Sequence, residues 1–213
     1  MSLSFDNIDN FNELLKLFGV YDLFKDEQSF LNMKNLLESK SIKKRNGWYR
    51  TIYCTDDANY NLISDSFRNI LNDIYKDMSS DCVDIVFGYV KTKSILFNAK
   101  KHLHPKILIK LDIKDFFDSI NEGAIKNMLI DNWIQEWIAS LMAKFSTIDN
   151  MLITWTSFSP MLSNLVFLPI DREIKELLDK KWSFIKYSRY ADDLAFSSKK
   201  RYPFKRFGKL SMR

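Results

Sequence analysis

Two β-rich runs, 184–190 and 194–197, are separated by only Ala191-Asp192-Asp193. That spacing constrains the fold more than any other feature of the chain. A connection this short cannot cross over a sheet, so the two runs must be an antiparallel hairpin with adjacent acids at its tip. Neighbouring carboxylates repel each other and gain nothing from packing. Taken alone, an Asp-Asp turn is also what a solvated hairpin tip looks like. Here Tyr190 precedes the pair and Leu194-Ala195-Phe196 follows it. Such apolar flanks place the tip in a cleft, where a cation or other positive group has to offset the repulsion.

A third carboxylate ends another strand. Residues 107–112, Ile-Leu-Ile-Lys-Leu-Asp, are β-rich and close on Asp112. Three acids at strand ends would form an all-oxygen nest suited to Mg²⁺. Two such ions, ~3.5–4 Å apart, can activate a 3′-hydroxyl and neutralise a leaving pyrophosphate. Around these strands the periodicity is helical. Helices are expected over 10–40, 59–78, 94–104 and 121–145, and the stripe Leu62, Ile63, Phe67, Ile70, Leu71, Ile74, Tyr75 and Met78 is the clearest of them. Residues 48–53 are another β-rich run after a polar break at 39–47, and 83–89 is a short apolar piece. Ser159-Pro160 has the order of an N-cap followed by the first helical position, and Pro169 is expected to kink that helix. The class is α+β: an antiparallel sheet covered by helices, with no repeat and no linker.

Composition narrows the function. The 213 residues are 46% hydrophobic and 28% charged, enough for a core and too apolar for global disorder. Gly and Pro are scarce, which excludes collagen-like and linker-like classes. No run approaches the ~20 apolar residues of a membrane span, and the first ten residues have no signal-peptide pattern. Cys54 and Cys82 are too few for a disulfide framework or a zinc site. A cytoplasmic protein without a membrane partner is expected. The formal charge is +5, yet 199–213 carries seven bases and no acid, which leaves 25 bases against 27 acids in the rest. Basicity is therefore a property of the tail, and any nucleic-acid argument must rest on local residues.

The local residues carry a family resemblance. Ser188-Arg189-Tyr190-Ala191-Asp192-Asp193 resembles the YADD box of reverse transcriptases, most closely those of retrons and group II introns. Leu111-Asp112-Ile113-Lys114-Asp115-Phe116-Phe117-Asp118-Ser119-Ile120 resembles their first catalytic box. Arg50-Thr51-Ile52-Tyr53, after Lys43-Lys44-Arg45, is similar to the segment of the fingers that meets the incoming triphosphate. Phe87-Gly88-Tyr89 with Ser94 and Ala99 resembles the stretch between fingers and palm. Ser159-Pro160, Leu162-Ser163-Asn164-Leu165 and Asp171 resemble the helix beneath primer and template.

The resemblance implies a right-hand fingers and palm fold, with an antiparallel palm sheet packed by helices. It divides the chain into an N-terminal helical segment (1–40), a fingers-like part (41–105), a palm-like part (106–198) and a basic tail (199–213). The implied activity is RNA-directed DNA synthesis of retron or antiphage-defence type. Asp112, Asp192 and Asp193 would hold two Mg²⁺ ions, or Mn²⁺ as a substitute, with the Ile113 carbonyl as a further ligand. Arg50 would clamp the triphosphate, aided by Lys43 and Lys44, although these lysines are equally a solvated loop. Phe117 would exclude a ribose 2′-hydroxyl by bulk. Tyr190, Ser159, Pro160 and Asn164 would face primer and template. The implied partners are an RNA template, a DNA or RNA primer, dNTPs and a structured noncoding RNA. Asp115 and Asp118 read as surface acids, and His102 and His104 lack the neighbours a metal site needs.

Two departures stand out. The family has Gln-Gly shortly before Ser-Pro; here the stretch is Ile153-Thr154-Trp155-Thr156-Ser157-Phe158, with an indole where Gly allows close approach. Beyond Ser198 the family continues into further palm strands and a thumb, which this sequence is expected to lack. The tail is either a nucleic-acid-binding segment, with Tyr202, Phe204 and Phe207 among its bases, or out-of-frame sequence. An active polymerase and a truncated, non-catalytic nucleic-acid-binding remnant are both open on this reading. Loss of the last strands is expected to leave the Asp192-Asp193 hairpin as an exposed sheet edge.

Overall fold

The structure is a computed structural model that describes residues 8–43, 47 and 49–200. Lys44, Arg45 and Trp48 lie outside the described residues, as do Tyr202, Phe204 and Phe207 of the tail.

The chain opens with α1 (Phe11–Leu17), where Asn10 accepts a bond from the Glu13 amide, and α2 (Glu27–Leu31), which starts with a reciprocal Asp26–Ser29 capping box. A 3-10 turn (Asn32–Leu36) leads into strand β1 (Glu38–Lys43), antiparallel to β2 (Tyr49–Cys54). The polar break expected at 39–47 is thus mostly strand. Every residue of β1 is exposed, so no buried face imposes the alternation that would mark it. Helix α3 (Ala58–Met78) follows its apolar stripe as expected, capped by Asp57. Then come α4 (Ile95–Lys101), β3 (Ile107–Asp112), α5 (Glu122–Asp131) and α6 (Glu136–Phe145). The long helix expected over 121–145 is broken between the last two. Trp133 takes a left-handed backbone, φ 66, and the Ile134 amide returns to the Leu129 carbonyl, closing α5. A short hairpin of β4 (Thr147–Ile148) and β5 (Met151–Leu152) precedes α7 (Ser159–Lys181), which runs through Pro169. Strands β6 (Ile185–Tyr190) and β7 (Asp193–Ser198) complete the described elements.

These elements divide into two compact units, each discontinuous in sequence: the chain up to Asp81 with Asp115–Pro169, and Cys82–Lys114 with Ile170 onward. The first unit is held by aromatic packing. Phe30 lies within 6.3 Å, ring centre to ring centre, of Phe11, Phe18, Phe24 and Phe145, and Phe145 continues to Tyr60 and Phe158. Lys34 donates to the Lys144 and Thr147 carbonyls, satisfying acceptors at the end of α6.

The second unit is built on a three-stranded sheet in the order β3-β7-β6. Strand β7 is therefore central, which corrects the expectation that the acidic hairpin is a sheet edge. The outer side of β6 is covered as well. Phe87 donates to the Arg189 carbonyl and Arg189 to that of Ile85, at 2.8 and 2.9 Å. The open edge among the described residues is β3, and Lys106 and Lys110 along it are charges of the kind that discourage edge pairing.

Candidate active site

The β6–β7 turn carries the carboxylates. Tyr190 pairs with Asp193, which leaves Ala191-Asp192 as a two-residue loop, and Ala191 has φ 56 as a tight hairpin turn requires. Asp192 thus sits in the turn, while Asp193 is the first residue of β7. Asp112, the last residue of β3, lies directly opposite Asp193, and Asp192 accepts a bond from the Ile113 amide at 3.0 Å. That bond makes Asp112–Asp193 a non-hydrogen-bonded pair, the closer type, with Cα atoms ~4.5 Å apart in such pairs. Directly opposed like charges destabilise a sheet. The Lys110 ammonium, 3.9 Å from Asp193 and exposed, offsets this only weakly.

Two strand ends and the adjoining turn bring three carboxylate-bearing residues to one end of the sheet, and carboxylate oxygens are the ligands a hard divalent cation takes. Among the described residues, no three metal-binding side chains are already drawn together at coordinating distance.

Two features hold the turn. Arg189 is fully buried and donates through Nε and Nη2 to both Asp171 oxygens, at 2.7 to 3.2 Å, and through Nη1 to the Ala191 carbonyl at 3.2 Å. Tyr187 adds a hydroxyl donated to Asp171 at 2.6 Å. On the other side, Gly88 packs against the turn so closely that a Cβ there would lie 2.4 Å from the Ala191 nitrogen.

Apart from Tyr190, the remaining expected site residues fall in the other unit. Arg50 and Lys43 are exposed on β2 and β1, but the register pairs Arg50 with Ile42 and Lys43 with Tyr49. Side chains alternate along a strand, so the two cations point to opposite faces of the hairpin. Lys44 lies outside the described residues. Phe117 is half-buried, edge-on to Phe116 at 5.6 Å. Ser159 and Asn164 are completely buried. The Ser159 hydroxyl bonds to the Ile153 carbonyl and the Thr156 hydroxyl, so it braces the preceding loop and does not meet a strand. Pro160 and Tyr190 are partly exposed.

Comparison with known proteins decides the family. Residues 42–210 match the family described as reverse transcriptase (RNA-dependent DNA polymerase). The chain belongs to that family. Retron Ec86 reverse transcriptase of Escherichia coli is 30% identical over 162 residues, covering 76% of this chain and 47% of the relative. Retron Ec83 reverse transcriptase of the same species is 34% identical over 130 residues, 55% of this chain and 40% of the relative. Retron Mx162 reverse transcriptase of Myxococcus xanthus is 30% identical, 52% of this chain and 26% of the relative. The chain therefore spans about half or less of these relatives. A Candida albicans telomerase, solved with the TWJ fragment of telomeric RNA, superposes with a TM-score of 0.57 over 77% of this chain and 38% of its own. At 10% identity that similarity concerns the fold alone.

Two residues to which the sequence reading gave no role at the site support the acidic hairpin. Gly88 is one. Gly88→Ala is expected to lower stability by ~1–3 kcal/mol, because the added methyl meets backbone that cannot swing aside. Urea denaturation measures this, and an unchanged midpoint would show that the turn yields freely.

His102 is another. It is buried, with Nδ1 2.6 Å from the Ser197 hydroxyl and Nε2 2.7 Å from that of Ser188. Ser188 donates onward to Asn98, which leaves its oxygen to accept from His102 Nε2–H. His104 is exposed, so the two histidines do not share a side. Burial, with Lys101 and Lys186 nearby, pushes the His102 pKa below its ordinary 6.5. The unfolded chain therefore takes up the proton first as pH falls. The stability contributed by His102 is complete above about pH 6.5 and is lost as pH falls through the folded-state value. Denaturation midpoints should drop from pH 7.5 to pH 5 (about the range in which His titrates), and His102→Gln should flatten that slope.

Proposed function

We propose that this chain carries out RNA-directed DNA synthesis, transferring deoxynucleotides from dNTPs to a DNA or RNA primer on an RNA template, as part of a retron or antiphage-defence system. One observation carries the reading: in a member of the reverse transcriptase family, Asp112 and Asp193 face each other across a close strand pair, with Asp192 in the adjoining turn. These three side chains and the Ile113 carbonyl would hold two Mg²⁺ ions, replaceable by Mn²⁺, which when bound activate the primer hydroxyl and neutralise the departing pyrophosphate. Arg50 offers an exposed guanidinium whose fork suits triphosphate oxygens. Lys43 serves the opposite face of the same hairpin. Phe117 limits the room at the sugar, and Tyr190 and Pro160 present the primer and template side. Ser159 contributes from within, by bracing the loop that precedes Pro160, and Asn164 lies buried on the same helix. The fingers and palm divisions at 41–105 and 106–198 belong to the same reading.

A structured noncoding RNA is the partner this reading adds, and the cytoplasm is the compartment. Among the described residues no helix is long and apolar enough to cross a membrane. Primer extension on an RNA template with Mg²⁺ and labelled dNTPs tests the proposal. Template-dependent addition of dNTPs, with ribonucleotides refused, is the expected result. A folded sample that adds nothing would overturn it.

A further inference from the structure

Helix α4 buries none of its residues, and Ile95, Leu96 and Phe97 stand exposed in succession along it. Phe97 shares the wall of an open recess of about 760 Å³ with the exposed Val83 and the buried Phe87, all within the second unit. Lys93, Lys100, Lys101 and Lys186 line the same recess against one acid, Asp84. That acid is already taken by Lys101, at 3.0 Å. Lys93 donates to the Val83 and Val86 carbonyls and Lys186 to that of Lys101. These bonds fix the ammoniums without neutralising them, and an ammonium has three donors, so some remain unused.

The lining selects its occupant. Lys93 lies over the Phe87 ring at 5.0 Å and Lys100 over the Phe97 ring at 5.6 Å. An ammonium therefore already covers a face of each ring, where a nucleobase would have to stack. Val83, Ile95 and Leu96 offer nothing to a phosphate. A segment that carries apolar side chains among carboxylates satisfies both parts of the lining.

The first unit displays such a segment. Residues 20–27, Val-Tyr-Asp-Leu-Phe-Lys-Asp-Glu, connect α1 to the start of α2. Val20 is buried and Phe24 lies edge-on to Phe30 at 5.5 Å, so the loop is anchored on the aromatic core. Tyr21 and Leu23 are turned out, 61% and 51% exposed. Asp22, Asp26 and Glu27 are exposed with them, three acids against the single Lys25.

We propose that the 20–27 loop of one copy of this chain docks in the lysine-lined recess of a second copy. The inference goes beyond the polymerase reading and does not depend on it. Apolar side chains meet apolar side chains, and the loop's carboxylates meet ammoniums that lack a counter-charge. The contact area is small, which makes the association weak and reversible, and its charged part is screened by salt.

Sedimentation velocity of the 213-residue chain, at rising micromolar concentration and in low and high salt, tests the proposal. The parent is expected to move to larger species as concentration rises, less so in high salt. Leu23→Lys and Lys100→Glu each change one exposed residue, so neither should lower the melting temperature, and each alone should weaken association by on the order of tenfold. An equimolar mixture of the two variants discriminates most sharply. The loop variant keeps an intact recess and the recess variant an intact loop, so the mixture should associate more tightly than either variant alone. A like-to-like contact gains nothing from mixing. A parent that stays monomeric, variants that associate as the parent does, or a mixture no tighter than its components would overturn the proposal. A labelled single-stranded RNA oligonucleotide is titrated in parallel: RNA bound by a monomeric parent and lost in Lys100→Glu would assign the recess to a nucleic-acid backbone and overturn the docking.

Discussion

Asp193→Asn is expected to lower nucleotide incorporation by on the order of 10³-fold, a loss of roughly 4 kcal/mol in transition-state stabilisation, with the fold intact. The amide keeps the shape of the carboxylate and removes the charge that a divalent cation needs. Asp193 is partly exposed and its only described ion pair is the long one to Lys110, so little folding stability depends on it. The mutation also relieves the repulsion with Asp112 across the strand pair, worth ~0.2–1 kcal/mol. Without divalent cation the variant should therefore unfold at the same temperature as the parent or slightly above it. Adding Mg²⁺ should raise the parent's melting temperature more than the variant's, because only the parent gains a full site in the folded state. Incorporation at the parental rate would remove Asp193 from the site. Equal Mg²⁺ stabilisation of both proteins would separate the residue from the metal.

Asp171→Ala is expected to cost ~3–5 kcal/mol of folding stability, the range for breaking a buried ion pair from one side. The carboxylate is fully buried and accepts from Arg189 and from Tyr187. Its removal leaves a guanidinium inside the protein with no counter-charge, and a phenol without its acceptor. Burial and the nearby Asp171 charge hold the Tyr187 pKa far above the usual tyrosine range, so the hydroxyl stays a donor throughout the working pH range. A shift of the urea midpoint with an unchanged slope measures the effect. The pair Asp171→Leu with Arg189→Met tests what the ion pair is for. Apolar replacement of both partners is often neutral or stabilising, so the double variant should recover much of the lost stability. It cannot recover the Arg189 donor to the Ala191 carbonyl, so the turn that carries Asp192 loses its brace and incorporation should remain impaired. Full recovery of both properties would make the pair purely structural.

The sequence by itself determined the elements that bury one face. Helix α3 shows its stripe because its inward positions recur with the helical turn; β3, β6 and β7 show as β-rich runs with short punctuation, although no residue of β3 is buried. The same local grammar placed Asp112 at a strand end and Asp192-Asp193 at a hairpin, and the family resemblance follows from these short boxes. Strand β1 is exposed throughout and left no pattern. The break at Trp133 was invisible, since a tryptophan is not a residue that announces a left-handed helix end.

Only the tertiary structure decided what faces what. The register that sets Asp112 against Asp193, the meeting of Gly88 with Ala191 and the burial of Asp171 against Arg189 join residues apart in sequence, and the β1–β2 register separates Lys43 from Arg50. Periodicity records which side of an element is buried, because burial repeats with the turn of the helix or the pleat of the strand. It does not record the partner, since a single long-range contact has no period.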